Sequence, residues 1–141
     1  MRHHVWRLLA ISLLCALCVA ASAAKTKFVI GMSQCNLGEP WRVQMNADIK
    51  NAAAKHPELT VIYKDAQNDS LRQVNQVNEF VQQRVNLIII SPKEAAPLTP
   101  AVSAAYKKGI PVIVLDRRVL GNDYTCFIGA NNKLIGKAAG Q

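Results

Sequence analysis

The sequence predicts an α/β fold, an open and mostly parallel sheet with helices on both faces. Three observations predict it. Short apolar runs alternate with amphipathic stretches along the chain; the runs over 85–90 and 112–115 lack the polar alternation of a half-exposed strand; and each run empties into a polar loop. A strand covered on both faces calls for helical crossovers, and these are right-handed.

The elements follow in order. Residues 28–32 form a buried strand that opens into a polar, Gly- and Pro-containing loop over 33–40. A helix runs over 41–55, with Val43, Ala47 and Ala54 on one stripe, Met45, Ile49 and Ala52 beside it, and His56-Pro57 as its stop. Residues 60–63 are the second strand. Asn68, Asp69 and Ser70 are candidate caps for a helix whose Leu71, Val74, Val77 and Val81 recur at spacings of 3, 3 and 4. The third strand ends before Ser91, and Pro92 and Pro97 bound the loop after it. Thr99 as N-cap and Pro100 at the first helical position open a third helix through Lys108, which Gly109 and Pro111 close. The fourth strand, 112–115, and a fifth, 126–129, flank the turn at 121–123. Asn131 or Asn132 caps a last helix that runs to Gln141.

The chain has 141 residues, half of them hydrophobic and 18% charged, with 17 Lys and Arg against 9 Asp and Glu. That composition excludes a disordered or collagenous chain and leaves room for one domain. Residues 1–24 have the pattern of a secretory leader: basic Arg2 and Arg7, an apolar run over 8–21, and the small residues Ala21-Ser22-Ala23 at a cleavage site. The run is short for a membrane span. Leu14 before Cys15 and Leu17 before Cys18 are not the small residues that a lipid-anchored leader needs. Maturation would leave 15 basic and 9 acidic residues, a net charge of +6. The mature chain is expected in an oxidising compartment outside the cytoplasm and not inserted in a membrane.

In an open parallel sheet, ligands sit beyond the carboxyl ends of the strands. Here those ends are polar: 33–41, 65–68, 91–94, 116–118 and Asn131 with Asn132. Asp, Asn, Gln and Arg offer planar hydrogen-bonding groups that match vicinal hydroxyls, and Trp41 offers a ring face to the C–H side of a sugar. Two structural alternatives stand beside that reading, Trp41 as a core residue at a helix start and Asp116 with Arg117 as a surface ion pair. Catalytic chemistry is poorly supplied. No phosphate-binding loop or dinucleotide fingerprint is present. His56, the one histidine after the leader, sits at a helix end away from the rim, and Ser33 and Ser91 have no base. The reading is a non-enzyme without metal or cofactor. Lys and Arg are scattered, with Lys107-Lys108 and Arg117-Arg118 as the only doublets, so nucleic acid is not the expected partner.

Several segments together resemble one family. They are the leader, Phe28-Val29-Ile30-Gly31-Met32-Ser33, Asn75-Gln76-Val77, Leu87-Ile88-Ile89-Ile90-Ser91-Pro92, Gly109-Ile110-Pro111-Val112-Ile113-Val114-Leu115-Asp116-Arg117, and Ile135-Gly136-Lys137-Ala138-Ala139-Gly140. The chain resembles the first lobe of a type I periplasmic sugar-binding protein of the ribose-binding family, over 25–141. The resemblance implies that Asp116 and Arg117 bind sugar hydroxyls, that Ser33 closes the first strand at the site, and that Trp41 after Pro40 stacks on the ring. Glu39 falls where many members have Asn, and Arg42 where ribose binders have a second aromatic. The Trp-Arg pair is similar to galactofuranose-binding proteins.

The resemblance further implies a lobe over 25–130, a crossing between lobes at 130–132 that includes Asn131, and the start of a second lobe over 131–141. The chain then reads as a fragment. The site residues are Ser33, Glu39, Trp41, Arg42, Asp116, Arg117 and Asn131. The ligand is a monosaccharide buried by lobe closure, and the partner is the membrane permease of an ABC-type uptake system. A sensor for a chemoreceptor or histidine kinase is the alternative, with a transcriptional regulator's effector domain behind it. The family's strand order 2-1-3-4-5 separates Cys35 from Cys126 by about three spacings of ~4.8 Å, which disfavours a disulfide between them.

Overall fold

A computed structural model describes residues 27–141, so the leader and its two cysteines lie outside the described residues. The strands are β1 (Phe28–Gln34), β2 (Leu59–Asp65), β3 (Leu87–Ser91), β4 (Val112–Leu115) and β5 (Cys126–Ile128); the helices are α1 (Pro40–Ala53), α2 (Ser70–Gln82), α3 (Ala95–Lys107) and α4 (Asn132–Ala139). They form one five-stranded sheet in the order β2-β1-β3-β4-β5. Every pairing is parallel, with Gly31 opposite Ile62 and Ile88, and Ile90 opposite Val114.

Register and pleat divide the strand residues between two faces. Val29, Ile62, Ile88, Ile90, Val112 and Val114 belong to the apolar cluster that Val77 and Phe80 of α2 and Leu98, Val102 and Ala105 of α3 complete. Gly31 lies on that face because a Cβ there would fall 2.5 Å from Cγ of Phe80. The ring occupies the volume that any larger residue would need. Gln34 points to the other face, where it meets Met45 and Asn46 of α1.

Two elements differ from the sequence reading. In α1 the residue that goes inside is Arg42, while Val43 is 50% exposed. The inward stripe passes through Arg42, Met45, Asn46, Ile49 and Ala53, the last four half-buried. A polar side chain with partners on the sheet thus displaces the apolar stripe by one position. The third helix begins at Ala95 with Glu94 as N-cap, five residues before Pro100. Pro97 falls in the first turn, where its missing N–H has no carbonyl to meet, and Thr99 donates its hydroxyl to Ala95 O at 2.7 Å. A proline in a first turn therefore does not mark a loop.

The caps of the other helices are resolved as single residues. Asp69 Oδ1 accepts from the backbone N–H groups of Leu71 at 2.8 Å and Arg72 at 3.0 Å, and Asn131 Oδ1 accepts from Leu134 at 3.3 Å. The N–H of Arg72, then that of Leu71, holds the Asp69 carboxyl below its usual range. No described helix is long and apolar enough to cross a membrane.

Candidate functional site

The carboxyl ends of β1, β3 and β4 converge on one buried guanidinium. Arg42, in the first turn of α1, is 1% exposed. Its Nε donates to Glu39 Oε2 at 2.9 Å; Nη1 donates to Gln34 Oε1 at 3.1 Å and to Ser91 Oγ at 2.9 Å; Nη2 reaches Asp116 Oδ2 at 3.4 Å. One charge so buried is costly unless paired and hydrogen-bonded, and here two carboxylates and two neutral oxygens supply partners. The four contacts tie the first loop, the last residue of β1, the last residue of β3 and the residue after β4. The guanidinium also lies 4.0 Å from the centroid of the Trp41 ring, which is 46% exposed. One ring face is thus backed by a cation.

Asp116 is held in an unusual backbone conformation. Its φ is +64°, and Arg117 N–H bonds Leu115 O at 2.7 Å across it, closing a three-residue turn. Such a turn is strained for any residue with a Cβ. It is pinned from β5: Asp116 N–H donates to Ile128 O at 2.9 Å, and Asp116 O lies 2.9 Å from where a Cβ on Gly129 would stand. Gly129 is required by that approach. Arg117 Nη1 donates to Lys93 O at 2.8 Å and its Nε lies 3.8 Å from Asp116 Oδ2.

An open pocket of about 640 Å³ adjoins Asp116 on the β5 side, with Arg117, Arg118, Phe127 and Asn131 in its wall. Arg118 covers the Phe127 ring at 3.9 Å. The volume is in the range of small-molecule sites. Of the residues singled out from sequence, the structure brings Glu39, Trp41, Arg42, Asp116 and Arg117 into one cluster. Asn131, the α4 cap, lines the pocket with Asp116 and Arg117, whereas Glu39, Trp41 and Arg42 do not. Ser33 is elsewhere: it is fully buried and donates its hydroxyl to Gln76 Oε1 at 2.8 Å, on the α2 side of the sheet.

Sequence reasoning gave no role to Gln34, Gln73 or Gln76: Gln34, like Ser91, fell only within the polar rim, and Gln76 only within a family segment. Gln73 Nε2 donates to Ser91 O at 3.0 Å, its Oε1 accepts from Lys93 N–H at 2.9 Å, and Gln76 Nε2 donates to Asp65 O at 2.9 Å. These amides tie α2 to the ends of β2 and β3. The signal was present as three-residue spacing, since Gln73 and Gln76 share the stripe of Val77 and Phe80. Cys35 is buried beside this network and Cys126 is exposed, and both are free. Burial pushes the Cys35 thiol above its ordinary value, against the opposing pull of Arg42 and Arg117. Among the described residues no group of three or more His, Cys, Asp and Glu is placed to hold a metal ion.

The arrangement is rich in hydrogen-bonding groups. Within the cluster Arg42 and Arg117 stand against Glu39 and Asp116 beside an exposed indole, and Arg118 and Lys133 add cations to the pocket wall; these planar donors and acceptors suit a ligand with several hydroxyls.

Residues 30–141 match the profile of a periplasmic binding protein domain family. The ribose import binding protein RbsB of Bacillus subtilis is 32% identical over 118 residues, 84% of this chain and 38% of its own length. The galactofuranose-binding protein YtfQ of Escherichia coli is 30% identical over 140 residues, 97% of this chain and 44% of its own. Among solved structures, the fructose-binding periplasmic domain of a hybrid two-component system superposes with a TM-score of 0.77 at 43% identity, over 80% of this chain and 37% of that one. The chain therefore spans about two fifths of the length of the relatives it matches.

Proposed function

The chain belongs to the periplasmic binding protein domain family, and from that premise we propose that it contributes one wall of a cleft in which an uncharged monosaccharide is bound for uptake. The carrying observation is the Arg42 cluster, which joins the ends of three parallel strands to Asp116 and Trp41. In this reading Asp116 and Arg117 bind sugar hydroxyls, Trp41 stacks on the ring, and Glu39 and Arg42 border the same wall. Ser33, buried behind it, supports the wall through Gln76. The cleft closes by a crossing of the chain at 130–132, with Asn131 at its edge, and the rest of the binding surface comes from a second lobe. The closed form is recognised by the permease of an ABC-type importer. Residues 1–24 direct export and are removed. No bond of the sugar is broken.

Names of relatives support this reading: ribose import in one and galactofuranose binding in another. A second reading, sugar sensing, is favoured by the hybrid two-component domain at 43% identity. Calorimetric titration of the full-length protein with ribose, fructose, galactose, xylose and one acidic sugar tests the ligand class. One neutral sugar binds and the acidic one does not; binding of the acidic sugar alone would overturn the proposal. Asp116→Ala removes binding in a protein that still folds, with a lowered melting temperature because buried Arg42 loses a carboxylate partner, and retained affinity would overturn the site. Trp41→Ala weakens binding about tenfold, as expected for loss of a ring contact of ~1.4 kcal/mol. Sugar-dependent co-purification from membranes separates the readings, since an ATPase-bearing permease supports uptake and a histidine kinase supports sensing. Mass spectrometry of the exported protein finds Lys25 at its N-terminus.

A further inference from the structure

The Arg42 guanidinium has five N–H groups, and protein acceptors take four of them: Glu39 on Nε, Gln34 and Ser91 on Nη1, and Asp116 on Nη2. The two acceptors on Nη1 are uncharged and fully buried, Gln34 and Ser91 each being 0% exposed. They sit opposite one another in the sheet as the paired last residues of β1 and β3. Each is fixed in turn. Gln34 Nε2 donates to Asn46 Oδ1 at 3.3 Å, and the backbone of Ser91 is held by Gln73. Neither residue lines the pocket beside Asp116. The guanidinium is planar, so fixing both N–H groups of Nη1 fixes the direction of Nη2 as well.

We propose that Gln34 and Ser91 are positioning residues for sugar binding: by holding Nη1 of Arg42, they aim Nη2 at Asp116 and set the orientation of that carboxylate. Arg42 Nη2 and Arg117 Nε both approach Oδ2 of Asp116, which leaves Oδ1 as the acceptor turned to a ligand hydroxyl. That oxygen accepts from one hydroxyl of the ligand, at an angle the guanidinium sets. An exposed arginine would lose rotational freedom on each binding event. Here the sheet has already ordered the side chain, and the affinity gained is that of preorganisation.

This inference rests on the monosaccharide reading, and its test reads Arg42 directly as well as binding. Nitrogen-15 spectra of the full-length protein resolve the Arg42 side-chain N–H signals, assigned by their loss in Arg42→Lys. In the wild type the Nη protons are distinct, because rotation about Cζ–Nε is hindered. Ser91→Ala averages them and weakens the tightest-binding neutral sugar of the panel about tenfold, while Ser91→Thr, which keeps the hydroxyl, restores both. Gln34→Met does the same from the opposite strand and serves if Ser91→Ala fails to fold. Unchanged Arg42 signals in both variants overturn the proposal. Weakened affinity with unchanged Arg42 signals also overturns it, because Ser91 would then touch the sugar itself. If no sugar of the panel binds the wild type, the monosaccharide reading fails, and the Arg42 signals alone decide whether Gln34 and Ser91 hold the guanidinium.

Discussion

The two faces of the sheet are stabilised by different physics. On the α2 and α3 face the interior is apolar, with Phe80, Ile88, Ile90, Leu98, Val102, Val112 and Val114 at or near zero exposure. On the α1 face the one fully buried helical residue is an arginine. The apolar face gains by removal of area from water, which is non-directional and tolerates exchange of one hydrocarbon for another. The Arg42 face gains only if each donor meets its acceptor, so it fixes geometry at a cost in tolerance. On the proposed function, presenting Asp116 at a set angle needs both, a face that holds the sheet together and a face that aims side chains.

Several substitutions sharpen that contrast. Phe80→Ala has the largest effect on stability, about 3–5 kcal/mol by urea denaturation, because the ring fills the space above Gly31. Gly31→Ala alone costs about 1–3 kcal/mol by overpacking, and in the Phe80→Ala background it costs less than alone, since the added methyl enters the new cavity. Additive costs would break the assignment of Gly31 to the apolar face. Neither change touches the Arg42 cluster, so sugar affinity in the folded fraction is retained.

Arg42→Leu should show the opposite balance. It leaves Gln34 and Ser91 buried without their donor and costs about 2 kcal/mol in the same assay, less than Phe80→Ala, because Glu39 is half exposed and recovers water. Its effect on sugar binding is much the greater. A Phe80→Ala protein that folds but no longer binds, beside an Arg42→Leu protein that does, would invert the comparison.

A smaller, pH-dependent effect comes from the helix ends. Asp69 is held below the usual carboxylate range by the N–H groups of Arg72 and Leu71, and Asp123 by the Ser103 hydroxyl and then Lys107. A carboxyl whose folded value lies below its unfolded value of about 3.9 stabilises the fold above that value, and the contribution is lost as the pH falls through the folded one. The urea midpoint is therefore insensitive to these two groups from neutral pH to about 5 and falls below about 4. In Asp69→Asn with Asp123→Asn the fall is shallower. The least effect is chemical: in native protein Cys126 reacts with a thiol reagent while Cys35, buried and with its thiol pushed up, reacts only on unfolding. Cys126→Ser removes the fast reaction from this part of the protein, and Cys35→Ser leaves it.

Much of this architecture was legible because its signals are local. The unalternating run at 85–90 reads as a strand covered on both faces; the structure starts β3 at Leu87 and seats it inside the sheet, between β1 and β4. The stripe through Val74, Val77 and Val81 reads as α2, although Leu71, counted with it, is 68% exposed because it lies on the side of the helix opposite the buried stripe of Gln73, Gln76, Val77 and Phe80. Asn68, Asp69 and Ser70 were equal candidates for the cap, since any of their side chains can accept from an N–H; only the entry angle of the chain selects Asp69. The polar strand ends marked the rim, yet nothing local distinguishes Ser33, which faces α2, from Gln34, which faces Arg42. Adjacent strand residues point to opposite faces, and which face meets which helix is set by the crossovers.

By itself, then, the sequence determined the class of fold, the parallel order of its elements and the rim on which polar groups gather, because periodicity, caps and apolar runs act within a few residues of one another. Tertiary structure alone decided that Arg42 goes inside. Its acceptors Gln34, Ser91 and Asp116 lie 8, 49 and 74 residues away in the chain. A charge can be buried only where such distant partners converge, and that convergence does not exist until the sheet has formed.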